Sequence, residues 1–314
     1  MLNTIQIGSS DLNVAPLGMG AWQWGDKSLW GFGKGYDKED ALAAFNVAVD
    51  AGINMVDTAE VYGGGVSEEI VGDCLRQAKR PVVVATKFAP LPTRIGRRTV
   101  MRALDGSLKR LGVNTIDLYQ VHWTFPMLPI DMLMNILADA VQAGKVRYIG
   151  VSNYNVAQMR LAYETLAKRG LPLVSNQVEY SLLHRTPEVD GIYAACRELN
   201  VTLIAYSPLA KGMLTGKYTP KNPPPGLRRL MAQYRGIMLE RITVVTRELA
   251  QIGAAHDKTP AQVALNWLAR QPGVLPIPGA KNAQQAQANA GAIGWDMSDD
   301  EADSLSQVTL EWRK

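Results

Sequence analysis

The 314-residue sequence predicts an α/β fold, a single (β/α)8 TIM barrel spanning 1–314, and three features carry that expectation. Short runs of Val, Ile and Leu recur near residues 14–20, 53–57, 82–87, 117–122, 147–151, 174–178, 202–206 and 274–277. Amphipathic stretches of helical period lie between most of them. Nearly continuous apolar strands alternating with helices imply a parallel sheet covered on both faces, and eight such units at even spacing imply a closed barrel. A doubly wound open sheet would instead place Gly-x-Gly-x-x-Gly after its first strand, with an acidic residue about 20 positions on. Here the glycine-rich piece, Gly63-Gly64-Gly65, follows the second strand and no such fingerprint is complete.

The elements follow in order. Residues 4–14 alternate around a polar turn and predict a β-hairpin that plugs the barrel bottom. The first barrel strand, 14–20, leads to Trp22 at its end, and helices are expected over 41–49, 100–111, 133–141 and 156–166. A long loop between strands seven and eight runs from about 210 to 240 and contains Pro223-Pro224-Pro225-Gly226. Helices then follow near 240–256 and 259–271, the second entered through Thr259-Pro260, a cap with proline in the first turn. Irregular loops of this length inside compact domains are usually lids, so this one is expected to cover a ligand.

Composition narrows the function. With 47% apolar and 20% charged residues the chain can bury a large core. Its net charge of +4 is dispersed apart from short groups such as Arg94 to Arg98 and Arg228-Arg229, unlike a nucleic-acid-binding face. No apolar run approaches the ~20 residues needed to cross a bilayer, and the N-terminus has no secretory pattern. Cys74 and Cys196, the two cysteines, suit a reducing compartment. A cytoplasmic protein, a monomer or weak oligomer with a small-molecule partner, is therefore expected. With three histidines and no Cys/His spacing of metal type, no metal site is assigned.

The candidate site lies at strand ends. Asp57, Lys87 and His122 close three successive strand-like runs, and Tyr62 follows Asp57 in Val61-Tyr62-Gly63-Gly64-Gly65. In a parallel barrel such positions share one mouth, where these folds carry their chemistry. Taken singly, each has an ordinary reading: a helix cap, a snorkelling lysine, a turn aromatic. Their conjunction on consecutive strands separates an active site from a surface pattern. His184 and His256 have no such company and read as structural or surface residues, and the three glycines as shaping a turn.

These residues carry a family resemblance. Asp57-Thr58-Ala59-Glu60-Val61-Tyr62-Gly63, then Ser67-Glu68 and Gly72, resembles the signature of the aldo-keto reductases. Lys87, His122, the segment 144–153, Asn176-Gln177, Tyr206-Ser207-Pro208-Leu209 and Ile277-Pro278-Gly279-Ala280-Lys281 continue it in family order over nearly the whole chain. The nearest likeness is to cyanobacterial and plant-plastid members, through the segments 175–182, 214–220 and 279–283.

The resemblance implies reduction of aldehydes, and possible ketone substrates, to alcohols with Tyr62 as proton donor, Lys87 and Asp57 tuning it and His122 orienting the carbonyl. The physical case is independent. Hydride addition leaves charge on oxygen that must be stabilised and protonated, and a phenol has an ordinary pKa of about 10. An ammonium ~4 Å away at an effective dielectric of ~20 favours the phenolate by about 4 kcal/mol, so Lys87 is expected to bring Tyr62 toward neutrality.

The family pattern also implies NADPH/NADP+ across the mouth. Ser152, Asn153 and Gln177 would hold its carboxamide, with Tyr206 stacked on the nicotinamide. Gly20, Ala21, Trp22 and Asp57 belong to the same set. Ser207, Pro208, Leu209, Lys211, Gly212, Leu214 and Lys217 would follow the pyrophosphate under the long loop. Gly279, Lys281, Gln285 and Asn289 would take the adenosine phosphate end, with Lys281 complementing the 2′-phosphate that distinguishes NADPH from NADH. One departure is Ala288, where relatives often carry Glu.

Trp22 and Trp123, with Tyr62 and His122, are expected to wall the substrate pocket, whereas Trp24 and Trp30 read equally as core or surface. The aromatic mouth suggests aromatic or medium-sized apolar carbonyls, pyridoxal among them. The alternative is an NADPH-sensing regulatory subunit resembling the potassium-channel β subunits. Against it, the chain begins almost at the hairpin and reads Ser152-Asn153-Tyr154 as catalytic relatives do. A barrel hydrolase or isomerase would need paired carboxylates or a metal constellation at other strand ends, and none is visible.

Overall fold

A computed structural model describes residues 4–224 and 235–314. Eight parallel strands run in sequence order: β3 (Met19–Gly20), β4 (Met55–Asp57), β5 (Val83–Phe88), β6 (Ile116–Val121), β7 (Val146–Ser152), β8 (Leu173–Glu179), β9 (Thr202–Tyr206) and β10 (Val274–Pro276). The ring closes where Gly20 bridges Gly279 and where the N–H groups of Gly18 and Gly20 donate to Pro276 O and Pro278 O, both at 3.0 Å. Closure needs glycine here for space. A Cβ at Gly20 would lie 2.9 Å from Ile277 O, and one at Gly18 equally close to Ile277 Cγ2.

The hairpin β1 (Ile5–Gln6) and β2 (Asn13–Val14) pairs antiparallel below the barrel. Ile7, Leu12 and Val14 join Met55, Ala85, Leu118, Val174, Ile204 and Leu275 in one buried cluster, the apolar filling of the barrel. The run expected as one strand over 14–20 is divided: Val14 belongs to the hairpin, and the barrel strand starts at Met19. Pro16 lies in the break, where a residue without an N–H cannot extend a ladder. Trp22 consequently lies beyond the strand, in the loop that follows it.

The helices are α1 (Lys38–Asp50), α2 (Val66–Gln77), α3 (Arg97–Leu111), α4 (Ile130–Gln142) and α5 (Val156–Ala167). They continue with α6 (Ile192–Glu198), α7 (Ile237–His256), α8 (Pro260–Ala269), α9 (Ala283–Ala290) and α10 (Asp299–Val308). α1 starts at Lys38, ahead of the apolar period expected from 41, because a polar cap extends it, and polar caps also fix the starts of α5 and α8. Asp37 and Asp40 form a capping box on α1, Asn155 and Gln158 one on α5, and Thr259 and Gln262 one on α8. Cys74 in α2 and Cys196 in α6 are buried free thiols, and burial pushes both up to about 12. Among the described residues no helix is long and apolar enough to cross a membrane.

The long loop expected over 210–240 begins as a 3-10 turn, Ala210–Thr215, and ends at α7. Pro225, Gly226, Arg228 and Arg229 lie outside the described residues.

A close helix–helix contact lies at Gly72 of α2. An added Cβ would lie 2.7 Å from Arg110 O and 2.8 Å from Leu111 O, at the end of α3. Gly72→Ala is therefore expected to destabilise the fold by about 1–3 kcal/mol, the usual cost of overpacking. Urea unfolding should give a lower midpoint; an unchanged midpoint would mean that these helices do not pack this closely.

Candidate active site

Side chains alternate along a strand, and the barrel filling sets the phase. Met55, Ala85 and Leu118 point into the core, so Asp57, Lys87 and Gln120, each two residues on, share their face one layer nearer the mouth. His122 follows β6 directly. Tyr62 opens a 3-10 turn, Tyr62–Gly65, in which Gly63, Gly64 and Gly65 have φ of 58°, 69° and 102°. Only glycine takes these values freely, and a Cβ on Gly63 would meet the Gly25 backbone at 2.7 Å. Glu60 pins the turn to the chain after β5, accepting from Ala89 N at 2.7 Å and Arg94 Nη1 at 2.5 Å.

Lys87 is completely buried, and Asp57 is 2% exposed. The ammonium donates to Asp57 Oδ1, to Thr58 O at 2.8 Å and to Tyr62 Oη at 3.4 Å, which uses its three N–H bonds. Burial works against the charge on Lys87, but Asp57 and Tyr62 outweigh it and hold its pKa above the ordinary lysine value. For Tyr62 the balance goes the other way. Burial raises the phenol more than Lys87 lowers it, and Asp57 adds to the rise, so the net shift is upward. This corrects the expectation that Lys87 brings Tyr62 toward neutrality: that argument counted the ammonium and not the burial. At neutral pH Tyr62 is a protonated phenol beside a cation.

Burial, and then the positive charge of Lys87, push His122 down to about 3, so its imidazole is neutral. The ring lies edge-on to Tyr62, centroids 5.6 Å apart, and 4.5 Å from the ring of Trp123. Its Nδ1 is buried with no hydrogen-bond partner among the described residues.

A cavity of about 750 Å³ opens over these groups. Gly20, Ala21, Asp57, Tyr62 and Gln177 line its floor, with Trp22, Trp30, His122 and Trp123 on one side. Trp22 packs edge-on against Trp30 at 5.6 Å and lies 6.2 Å from Tyr62. At the other side Ser152 Oγ donates to Gln177 O at 2.8 Å, and Asn153 Nδ2 donates to His122 O at 3.0 Å. Tyr206 Oη donates to Asn153 Oδ1 at 3.1 Å.

Two arms extend from the floor. One is lined by Ser207, Pro208, Leu209, Lys211, Gly212 and Lys217, the other by Gly279, Lys281, Gln285 and Asn289. Lys281 Nζ donates to Trp30 O at 2.6 Å and lies 4.5 Å from the Tyr36 ring, tying the loop after β3 to the chain after β10. Of the six non-glycine residues with positive φ among those described, Asn153, Ser207, Ala210 and Lys211 cluster here. Such backbones cost of order 1–3 kcal/mol each and concentrate where ligands bind.

Leu214 departs from the expected set. It is fully buried and does not line the cavity, because its side of the 3-10 turn packs against α7 and α8. Trp24 is also core, its Nε1 donating to Ala280 O at 2.8 Å, whereas Trp30 lines the cavity. Sequence reasoning passed over Gln23, Val61, Thr215, Thr259 and Ala261, which the loops bring to the lining. No spacing marks them; only the neighbouring Trp22 pointed toward Gln23.

The depressed His122 pKa has a stability consequence. Between about 3 and its ordinary value of 6.5, the unfolded chain takes up a proton that the folded imidazole refuses, so stability falls as pH falls through that window. NMR of the His122 ring is expected to report a neutral imidazole from pH 8 down to about 5. A titration near the ordinary value would contradict the described burial.

With this geometry in place, the aldo/keto reductase family model matches residues 16–309. The chloroplastic pyridoxal reductase of Arabidopsis thaliana is 38% identical over 313 residues, covering 96% of this chain and 84% of that protein. The glycerol dehydrogenase structure from Gluconobacter oxydans is similar at TM-score 0.86 and 28% identity, covering 98% of this chain and 95% of the other. An aldo/keto reductase from Klebsiella pneumoniae, solved in complex with NADP and acetate, is similar at TM-score 0.78 and 28% identity, covering 100% and 97%. The chain belongs to the aldo/keto reductase family.

Proposed function

We propose that this protein reduces aldehydes, and ketones as a second class, to alcohols with NADPH, acting as one unit over residues 1–314. The observation that carries the reading is the buried Lys87 ammonium, shared between Asp57 and Tyr62 at the floor of a cavity with cationic arms. The cavity suits an extended polyanion: Lys211, Lys217 and Lys281 lie along its arms, and its floor carries fixed amides. The NADP complex of the Klebsiella pneumoniae relative supports the same cofactor.

Bound there, NADPH would supply the hydride. The chain's own residues handle the oxygen and the proton. Tyr62 enters as a phenol because burial holds its proton on, and its Oη is the donor to the carbonyl oxygen as negative charge builds there. Lys87, 3.4 Å from that oxygen, stabilises the phenolate left behind. The ammonium thus acts mainly when charge appears, which is where stabilisation raises a rate. Asp57 keeps Lys87 charged and aimed. His122, being neutral, offers a hydrogen bond to the substrate oxygen without bringing a second cation beside Lys87.

The aromatic wall of Trp22, Trp30 and Trp123 favours flat, aromatic carbonyls. The similarity to a pyridoxal reductase makes pyridoxal the first substrate to try.

Loss of NADPH absorbance with aromatic aldehydes and pyridoxal tests this reading. Tyr62→Phe is expected to lower turnover by at least ~10²-fold, the scale for one donor to a developing oxyanion, while NADPH still binds. Near-full turnover would remove Tyr62 as donor; NADPH binding without turnover in wild type would favour a sensing role. Lys281→Ala should weaken NADPH by about 10- to 100-fold, as for one charge-assisted hydrogen bond, and NADH far less. Equal losses in a binding titration would reject the phosphate role of Lys281.

A further inference from the structure

The polar ring beneath the catalytic groups includes one residue with no role so far. Gln120 lies on β6 between Leu118, in the barrel filling, and His122 at the mouth, and is fully buried. An apolar residue would be the ordinary occupant of a barrel layer, and a buried amide is costly unless both of its ends are bonded. Both are. Gln120 Nε2 donates to Asp57 Oδ2 at 2.9 Å, and its Oε1 accepts from Gln177 Nε2 at 3.2 Å. Gln177 Nε2 also donates to Asp57 Oδ2, at 2.8 Å, which closes the ring.

Resting on the reductase reading above, we propose that Gln120 is a positioning residue that fixes both the carboxylate paired with Lys87 and the amide of Gln177. Two consequences follow from the bonding. Asp57 Oδ2 is saturated by two amides, which leaves Oδ1 to the Lys87 ammonium. Gln177 spends its N–H bonds on Asp57 and Gln120, so the polar atom it has left for a ligand is its Oε1, an acceptor. That suits the N–H bonds of a carboxamide. Without Gln120 the Gln177 amide would be free to turn over and offer a donor instead.

Gly150 makes the arrangement fit. It is in register with Gln120 on one side and Ser175 on the other. A Cβ at Gly150 would lie 3.0 Å from Gln120 Cγ and 2.2 Å from Ser175 Oγ. The missing side chain is the slot through which Gln120 crosses β7 toward β8.

Three substitutions test the proposal, with NADPH affinity read from tryptophan fluorescence, fold from thermal melting and turnover from NADPH absorbance. Gln120→Met, close in volume, should weaken NADPH about 3- to 10-fold and lower kcat about tenfold, as for one or two lost hydrogen bonds. The carbonyl KM should change less than about twofold, because the residue does not line the cavity. Gly150→Ala should give the same pattern by displacing Gln120. Gln120→Glu separates positioning from packing. The introduced carboxyl can donate to Asp57 only when protonated, so both losses, relative to wild type, should be large at high pH and shrink as pH falls. The charged groups facing that position are Asp57 on β4 and Lys87 on β5, with Tyr62 and His122 above; β7 and β8 present Gly150, Ser175 and Gln177, which do not titrate.

Variants that melt lower but keep wild-type NADPH affinity and kcat, or Gln120→Glu losses that are flat with pH, would overturn the proposal and leave the reductase reading standing. Wild-type protein that fails to bind NADPH would remove both.

Discussion

A lysine ammonium buried at the end of β5 is the constraint around which the rest of the site is organised. Taking such a charge out of water costs several kcal/mol even after relaxation. Lys87 is kept charged only because Asp57, Thr58 O and Tyr62 Oη meet its three N–H bonds. Asp57 in turn is held by Gln120 and Gln177 from two further strands. The site is therefore a property of the barrel register. Residues from β4, β5, β6 and β8 meet because the strands align at one level, and Gly150 on β7 leaves the gap across which they connect.

The same constraint sets the character of the phenol. Tyr62 is partly buried beside it, and that burial acts on a neutral acid by keeping its proton. A protonated donor beside a permanent cation is organised for the moment when charge moves onto oxygen, not for the resting state. The neutral imidazole of His122 fits this division, since one cation already serves the site. Strained backbone at Asn153, Ser207, Ala210 and Lys211 borders the same cavity, where the surrounding structure holds it.

Much of this was legible in the sequence, for physical reasons. Asp57, Lys87 and His122 stood out because each terminates an apolar run, and strand alternation fixes the face on which they appear. The barrel and hairpin followed from the spacing of the runs, and the Asp37 cap explains why α1 begins before its apolar period. What was not legible depended on packing between distant segments. The first strand was read too long because Pro16, which divides it, sits inside a run of small and apolar residues. Leu214 was expected at the cavity, but its face of the 3-10 turn belongs to the core. Gln23 and Trp30 reach the lining through loop geometry that no local pattern records. The pKa of Tyr62 was misjudged because a sequence shows which charges are neighbours but not how much water is excluded.

A double-mutant cycle on Asp57→Asn and Lys87→Met, read by urea unfolding, tests the buried pair most directly. If the carboxylate and ammonium support each other as described, each single substitution leaves an uncompensated buried charge and costs about 3–5 kcal/mol. The double variant should then lose much less than the two single losses combined. Additive losses would show that the two charges are independent, and the account of the site built on their pairing would fail.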